Sequence, residues 1–305
     1  MPLESDLEEI ADENRRLSAN QLKSLSDLEG PAVSTLTSAW PDIAMMRRLS
    51  IVRELSELAS DSVELNFDAV FKVALSDEEP YVRAAAIRGL DEYEDVDLIP
   101  IFVNLLLIDQ DTEVRREAAI ALGRYALAAE LEKLSHADAR AIRNALIESA
   151  EDQEEDERVR SRAIEALGAM SGEDIENLIE SIYEEDSLWL KIGAVDAMGR
   201  TCNAMWLPII LRESEHRAPE MRHAAAFAAG EIGEREAVPY LRRMALEDPD
   251  REVQLAAIRS IGAIGGPTAR VALQGVLYEG DDALRDAIEA AKAEIDFDDD
   301  PLGAP

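Results

Sequence analysis

Little in this chain can carry covalent or metal chemistry. Its 305 residues hold one cysteine, Cys202, and three histidines, His136, His216 and His223. A single cysteine excludes an internal disulfide, and neither a cysteine pair nor an HExxH run offers a zinc site. The acidic runs Glu151 to Glu157 and Asp296 to Asp300 lack the Asp/Asn alternation and glycine of a calcium loop, and read as solvated charge. No motif calls for a cofactor, and no catalytic or metal-binding residue can be named. No apolar run approaches the ~20 residues that span a bilayer, and no N-terminal stretch is basic then apolar like a signal peptide. A soluble, cytoplasmic protein is therefore expected. Positive charge is also scarce: 31 Lys and Arg, only five of them Lys, face 65 Asp and Glu, for a net charge of −34. Such a field repels nucleic acid and anionic membranes and favours cationic partners. It also suits a solubilising surface, including one adapted to a salty cytoplasm.

What the chain does have is repetition. A residue, basic in all but one copy, recurs at Arg47, Arg83, Arg115, Arg160, Lys191, Arg222, Gln254 and Arg285, at gaps of 36, 32, 45, 31, 31, 32 and 31. The preceding residue is always apolar, as in Val82, Val159 and Val253, and the third residue on is Ala86, Ala118, Ala163, Ala194, Ala225 or Ala257. Apolar positions at −1, +3, +4 and +7 form a helical stripe, and small residues at +3 and +6 let a neighbouring helix come close. Asp111, Asp156, Asp250 and Asp281 stand four before the column as N-caps, and Pro80 and Pro219 fall at the first helical position. Gly123, Gly168, Gly199, Gly230 and Gly262, at +8, are expected in the left-handed conformation that ends a helix. A second apolar-periodic segment, clearest at Ala269, Ala272, Leu273, Val276 and Leu277, precedes each motif and supplies a first helix. A helix pair of this size cannot bury its own apolar face, so the pairs must stack.

The pattern D-x-x-V-R-x-x-A-[IA]-x-A-L-G, with G-x-x-E-A-V-P-Y-L at Gly233 to Leu241, resembles HEAT repeats. It is most similar to the short HEAT-like repeats of phycobilisome (bilin) lyases. The resemblance covers Trp40 to Ile295 and implies an all-α, right-handed α-solenoid of about eight helical hairpins. By resemblance alone it admits a bilin-lyase-like, tetrapyrrole-handling role. The HEAT-repeat deoxyhypusine hydroxylases hold two irons with recurrent His-Glu pairs, and this chain has none. A DNA-binding role like that of the HEAT-like alkylpurine glycosylases needs a basic channel, which a charge of −34 opposes.

Outside the repeats, residues 1–39 read as a helical cap broken at Ser18 and at Gly30-Pro31, and 40–295 form the solenoid. The tail 296–305 is expected to be disordered. The gap of 45 implies about one extra helix near 124–136, with Tyr125 to Leu134 helical and Ser135 capping the next helix.

The recurring arginine is expected to build an ion-pair ladder between repeats, with acids such as Glu113 and Glu157 nearby. Columns +1, +5 and +9 should line the concave face, where solenoids bind. They bring out Arg88, Arg116, Arg124, Arg200 and Arg259, together with Ile120, Glu165 and Asp196, and an apolar group of Ile192, Phe227 and Leu255 beside His223, bordered by Trp189 and Trp206. Aromatic and aliphatic anchors rimmed by arginine have the composition of a binding hot spot. The expected function is a non-enzymatic protein-binding scaffold or adaptor whose arginines orient acidic groups of a partner. The alternatives are tetrapyrrole handling and nucleic-acid mimicry. Neither the partner nor the oligomeric state is written in the sequence.

Overall fold

The computed structural model describes residues 2–62, 64–274 and 281–299, and among these it contains helices and no strand. The chain divides into two compact units, residues 1–125 with 134–145, and residues 126–133 with 146–305.

The first unit contains α1 (Pro2–Ala11), α2 (Ala19–Leu22), α3 (Pro31–Ala39), α4 (Met45–Asp61), α5 (Asp68–Ala74), α6 (Pro80–Gly89) and α7 (Ile99–Ile108). The long helices α8 (Thr112–Glu130) and α9 (His136–Glu151) are divided between the units. In the second unit α10 (Glu157–Leu167), α12 (Leu188–Arg200), α14 (Pro219–Ile232), α16 (Arg251–Ile264) and α18 (Asp282–Asp299) are the second helices of successive hairpins. They pack face to face in sequence. Their partners are α11 (Glu173–Tyr183), α13 (Leu207–Glu213), α15 (Val238–Glu247) and α17 (Gly266–Gln274). This is an all-α solenoid.

The sequence signals for helix starts hold in detail. Asp111, Asp156 and Asp250 accept hydrogen bonds from backbone N–H groups two or three residues on, and Asp281 accepts from that of Leu284. Pro80 and Pro219 open α6 and α14, where the missing N–H has no helical partner to lose. All six alanines of the +3 column are buried. In the N-terminal segment Ser18 caps α2 and Gly30 stands before α3, so both expected breaks occur. Within this segment α3 packs against α1 and α5, and α2 packs against α4.

Other expectations need correction. The +8 glycines do not take the left-handed conformation. Gly168 has φ −57°, and Gly123, Gly199, Gly230 and Gly262 lie inside helices. They serve contact between helices instead: a Cβ on Gly168 would lie 2.5 Å from the carbonyl oxygen of Ala197, and one on Gly199 2.6 Å from the Cα of Ala228. Gly230 meets Ser260 and Gly262 meets Ala291 in the same way, so each of these four +8 glycines receives the small +6 residue of the next repeat. The left-handed turns come at +11, with Cys202 at φ 51°, Gly233 at 75° and Gly265 at 66°. Near 124–136 there is no extra helix; α8 runs on through Gly123 to Glu130, and Ser135 accepts from the Asp138 N–H before α9. At the other end α18 continues to Asp299, so residues 296–299 of the expected tail are helical. The rest of that tail, and Val276 and Leu277, lie outside the described residues.

Three arginines of the column form rungs of the expected ladder, with acids other than those expected, and these rungs are partly buried. Arg83 grips Asp109 with two hydrogen bonds of 2.7 and 2.8 Å, Arg222 grips Asp248 at 2.6 and 2.7 Å, and Arg160 holds Glu185 at 2.7 and 3.2 Å. Each acid lies after the first helix of the next repeat. The same arginines also bond carbonyls closer in sequence, Arg83 to Asp77 and Arg222 to His216. In the first repeat this role falls to Arg48 rather than Arg47. Arg48 is 3% exposed and pairs with Asp77 at 2.8 Å, whereas Arg47 donates to the carbonyls of Ile10 and Arg15, and Met46 is exposed. Lys191 lies 5.7 Å from the centre of the Tyr183 ring instead of on an acid.

Salt separates buried pairs from surface repulsion. The rungs are partly buried and are screened less than the surplus acids, which lie on the surface. The melting temperature is expected to rise over the first few hundred millimolar of potassium chloride. A flat or falling curve in a thermal scan would show that acid–acid repulsion is not the main surface term.

Candidate functional site

Helix periodicity brings the site together. On α12, Trp189, Ile192, Asp196 and Arg200 follow i, i+3, i+7 and i+11, and on α14 Glu220, His223 and Phe227 follow i, i+3 and i+7, so each set makes a stripe along one face. These stripes, with Arg162 and Glu165 of α10 and Asp250 and Glu252 at the start of α16, line an open groove of about 570 Å³. The stacked alanines and glycines set the adjacent helices close enough for one groove to draw on four of them.

The apolar floor is exposed. Trp189 is 51% and Phe227 41% accessible, and Ile192 is half-buried. Large apolar side chains left open beside one another on a helical face cost solvation free energy and mark a surface that something else covers. Leu255, expected beside them, is buried, and so is Trp206; both belong to the core. Ile120 is exposed in the first unit, and Arg259 is exposed but does not line the groove.

Four of the five expected arginines, Arg88, Arg116, Arg124 and Arg200, are already engaged within the fold. Arg88 pairs with Glu117 at 2.9 Å, and Arg116 with Glu113 at 2.7 Å; the Arg116 hydrogen bond holds the Glu113 carboxyl below its usual range. Arg124 donates to the carbonyl of Leu90, pairs with Asp91 and lies over the ring of Tyr125. These three belong to the first unit and do not line the groove. Within the groove, Arg162 and Arg200 both close on Glu165.

That leaves the acids in excess, five carboxyls (Glu165, Asp196, Glu220, Asp250, Glu252) against two guanidiniums, with His223 exposed among them. Asp196 is the unusual one. Burial, followed by repulsion from Glu165, pushes its carboxyl up to about 7, against the opposing pull of Arg162 and Arg200. It makes no hydrogen bond among the described residues. Asp196 and Glu165 stand out in the sequence by column alone, with no sign there of this chemistry. The −2 column, where Trp189, Glu220 and Glu252 share one face with +1 and +5, carries groove residues that the three expected columns leave out.

Among the described residues, no three His, Cys, Asp or Glu side chains are grouped to hold a metal ion, and no helix is long and apolar enough to cross a membrane.

Hairpins stacked through a small-residue seam and presenting a groove on their second helices define a helical-repeat protein. A family model for HEAT repeats matches residues 67–151 and 204–292, more than half of the chain, which therefore belongs to the HEAT-repeat family. No curated protein matches the sequence. Among solved structures, the chain is similar to the complex of CpcE and CpcF of phycocyanin lyase from Nostoc sp. PCC7120. The identity there is 17%, over 93% of this chain and 97% of that one, with a TM-score of 0.55. It is also similar to importin beta, at 13% identity over 96% of this chain and 44% of that one, with a TM-score of 0.49. A third is the E. coli protein YibA, at 18% identity over 92% and 98%, with a TM-score of 0.48. At such identities the first likeness concerns the fold.

Proposed function

We propose that this HEAT-repeat protein is a non-enzymatic scaffold that binds a protein partner through the groove on α12 and α14. The observation that carries the reading is the pair of exposed aromatic side chains, Trp189 and Phe227, set in one groove with the half-buried Ile192. Aromatic anchors of this kind dominate interface energies once a partner excludes water from them. Their helices are fixed by the alanine–glycine seam, so little ordering entropy opposes binding. The partner is gripped by shape and apolar contact, while the acidic surface repels polyanions.

The test compares capture from a native extract by the wild type, Phe227→Ala and Glu154→Ala, with circular dichroism on the same samples. Glu154 lies in the exposed loop before α10. Phe227→Ala is expected to keep its helicity and weaken the captured complex by ~2 kcal/mol or more, with Glu154→Ala close to wild type. Equal affinity of all three proteins would place the binding surface elsewhere.

A further inference from the structure

We propose that the groove takes up a lysine or arginine side chain of the partner, its cationic head set against Asp196 and its aliphatic stem lying along Trp189, Ile192 and Phe227. This rests on the reading of the groove as a docking surface and names the chemistry of what docks.

Both arginines of the groove are paired with one acid, Glu165, and Asp196 is paired with none among the described residues. Glu165 is closed between Arg162 and Arg200, so both guanidiniums already have a carboxylate to neutralise them. Asp196, one helical turn before Arg200, makes no hydrogen bond among the described residues, yet it lines the same groove as the exposed aromatic rings. An acidic side chain entering there would meet a carboxyl already disfavoured by burial and by Glu165. An uncharged apolar side chain would cover Asp196 further and leave it without a partner, which costs more than leaving it open to water. A cation reverses both terms. The stem of Lys or Arg is apolar along its length and charged at its tip, which matches a groove with an apolar floor and one unpaired acid. Glu220 and Glu252 line the groove as well, so their field favours the same sign of ligand.

Asp196 also carries the signature of a group kept for something outside the fold. Its ionised form is disfavoured in the folded chain, so ionisation lowers stability as pH rises from the ordinary carboxyl range through about 7. Asp196→Asn should therefore melt at the same or a higher temperature than the wild type at pH 8. A residue that served the fold would give the opposite result.

The experiment pans a random dodecapeptide phage library on the full chain in 150 mM salt, with the Trp189→Ala/Phe227→Ala protein as counter-selection. Selected peptides are then synthesised and titrated. The expected peptides carry a Lys or Arg flanked by apolar residues. Replacing that residue by norleucine should lower affinity for the wild type about tenfold or more, as should Asp196→Asn in the protein, whereas Glu154→Gln should not. The norleucine peptide needs no protein variant, so the result stands even if Asp196→Asn folds poorly. Groove-dependent peptides that lack Lys and Arg, or that bind the norleucine form equally well, overturn the cation reading and leave the docking surface standing. If no peptide depends on Trp189 and Phe227, both readings fall.

Discussion

Arg48→Met is expected to destabilise the first unit by ~3–5 kcal/mol, the cost of breaking a buried ion pair from one side. Arg48 and Asp77 are 3% and 6% exposed, and Asp77 accepts from the indole N–H of Trp40 at 2.7 Å and from the backbone of Glu79 at 2.9 Å. Removing the guanidinium leaves a carboxylate in a site closed to water, and it also takes the donor from the carbonyl of Ile43, 2.8 Å away. Adding Asp77→Asn should restore part of the loss, because no charge remains and the single amide oxygen still accepts from one of the two donors, the Trp40 indole on Oδ2 or the Glu79 N–H on Oδ1. Urea unfolding followed by fluorescence gives the energies. A loss under about 1 kcal/mol for the single variant would mean that the pair behaves as a surface pair. Failure of the second substitution to recover any of it would mean that the cost is packing rather than charge.

Gly168→Ala sets two effects of opposite sign against each other. Alanine is a better helix former than glycine by about 1 kcal/mol. The added methyl, however, would lie 2.5 Å from the oxygen and 2.7 Å from the Cα of Ala197, which are backbone atoms of the next second helix and cannot rotate aside. Overpacking of this kind costs ~1–3 kcal/mol or more, so the net change is expected to be destabilising. Ala225→Leu, which adds three carbons where 1% of the residue is exposed, should cost more still. Gly233→Ala is the control. There the space is open and only a φ of 75° opposes the methyl, for a cost of roughly 1 kcal/mol. If Gly168→Ala melts at or above the wild-type temperature, the seam is looser than the backbone distances require.

The sequence disclosed the hairpins because their signals are local: an aspartate four residues before the column, a proline at the first turn, alanine at +3. It misplaced the helix stops because glycine has two uses. A glycine near a helix end serves a left-handed turn or a close contact, and the choice at Gly199 depends on Ala228, in a different repeat. The same holds for the ladder. Arg222 is visible in one motif, but Asp248 belongs to a loop after another helix, and nothing in the local pattern joins them. In the groove, Phe227 at +5 is exposed as its phase implies, whereas Leu255 at +1 is buried. Position +1 lies at the margin of the contact stripe, so what the next helix sets against it decides its exposure. Asp196 appeared as one of many acids, and its unpaired state emerged only when Arg162 and Arg200 were seen to be occupied by Glu165.

The ladder also bears on how such a chain can grow. The acid of each regular rung lies 25 or 26 residues beyond its arginine, a little less than the repeat length, as in Arg83 with Asp109, Arg160 with Glu185 and Arg222 with Asp248. The hairpin of α5 and α6 contributes one half of two rungs, Arg83 to the rung ahead with Asp109 and Asp77 to the rung behind with Arg48. A duplication that copies this period inserts a donor and an acceptor together, and its deletion removes one of each. Either event keeps donors and acceptors equal in number at the join, so the array can gain or lose this unit without burying an unpaired ion.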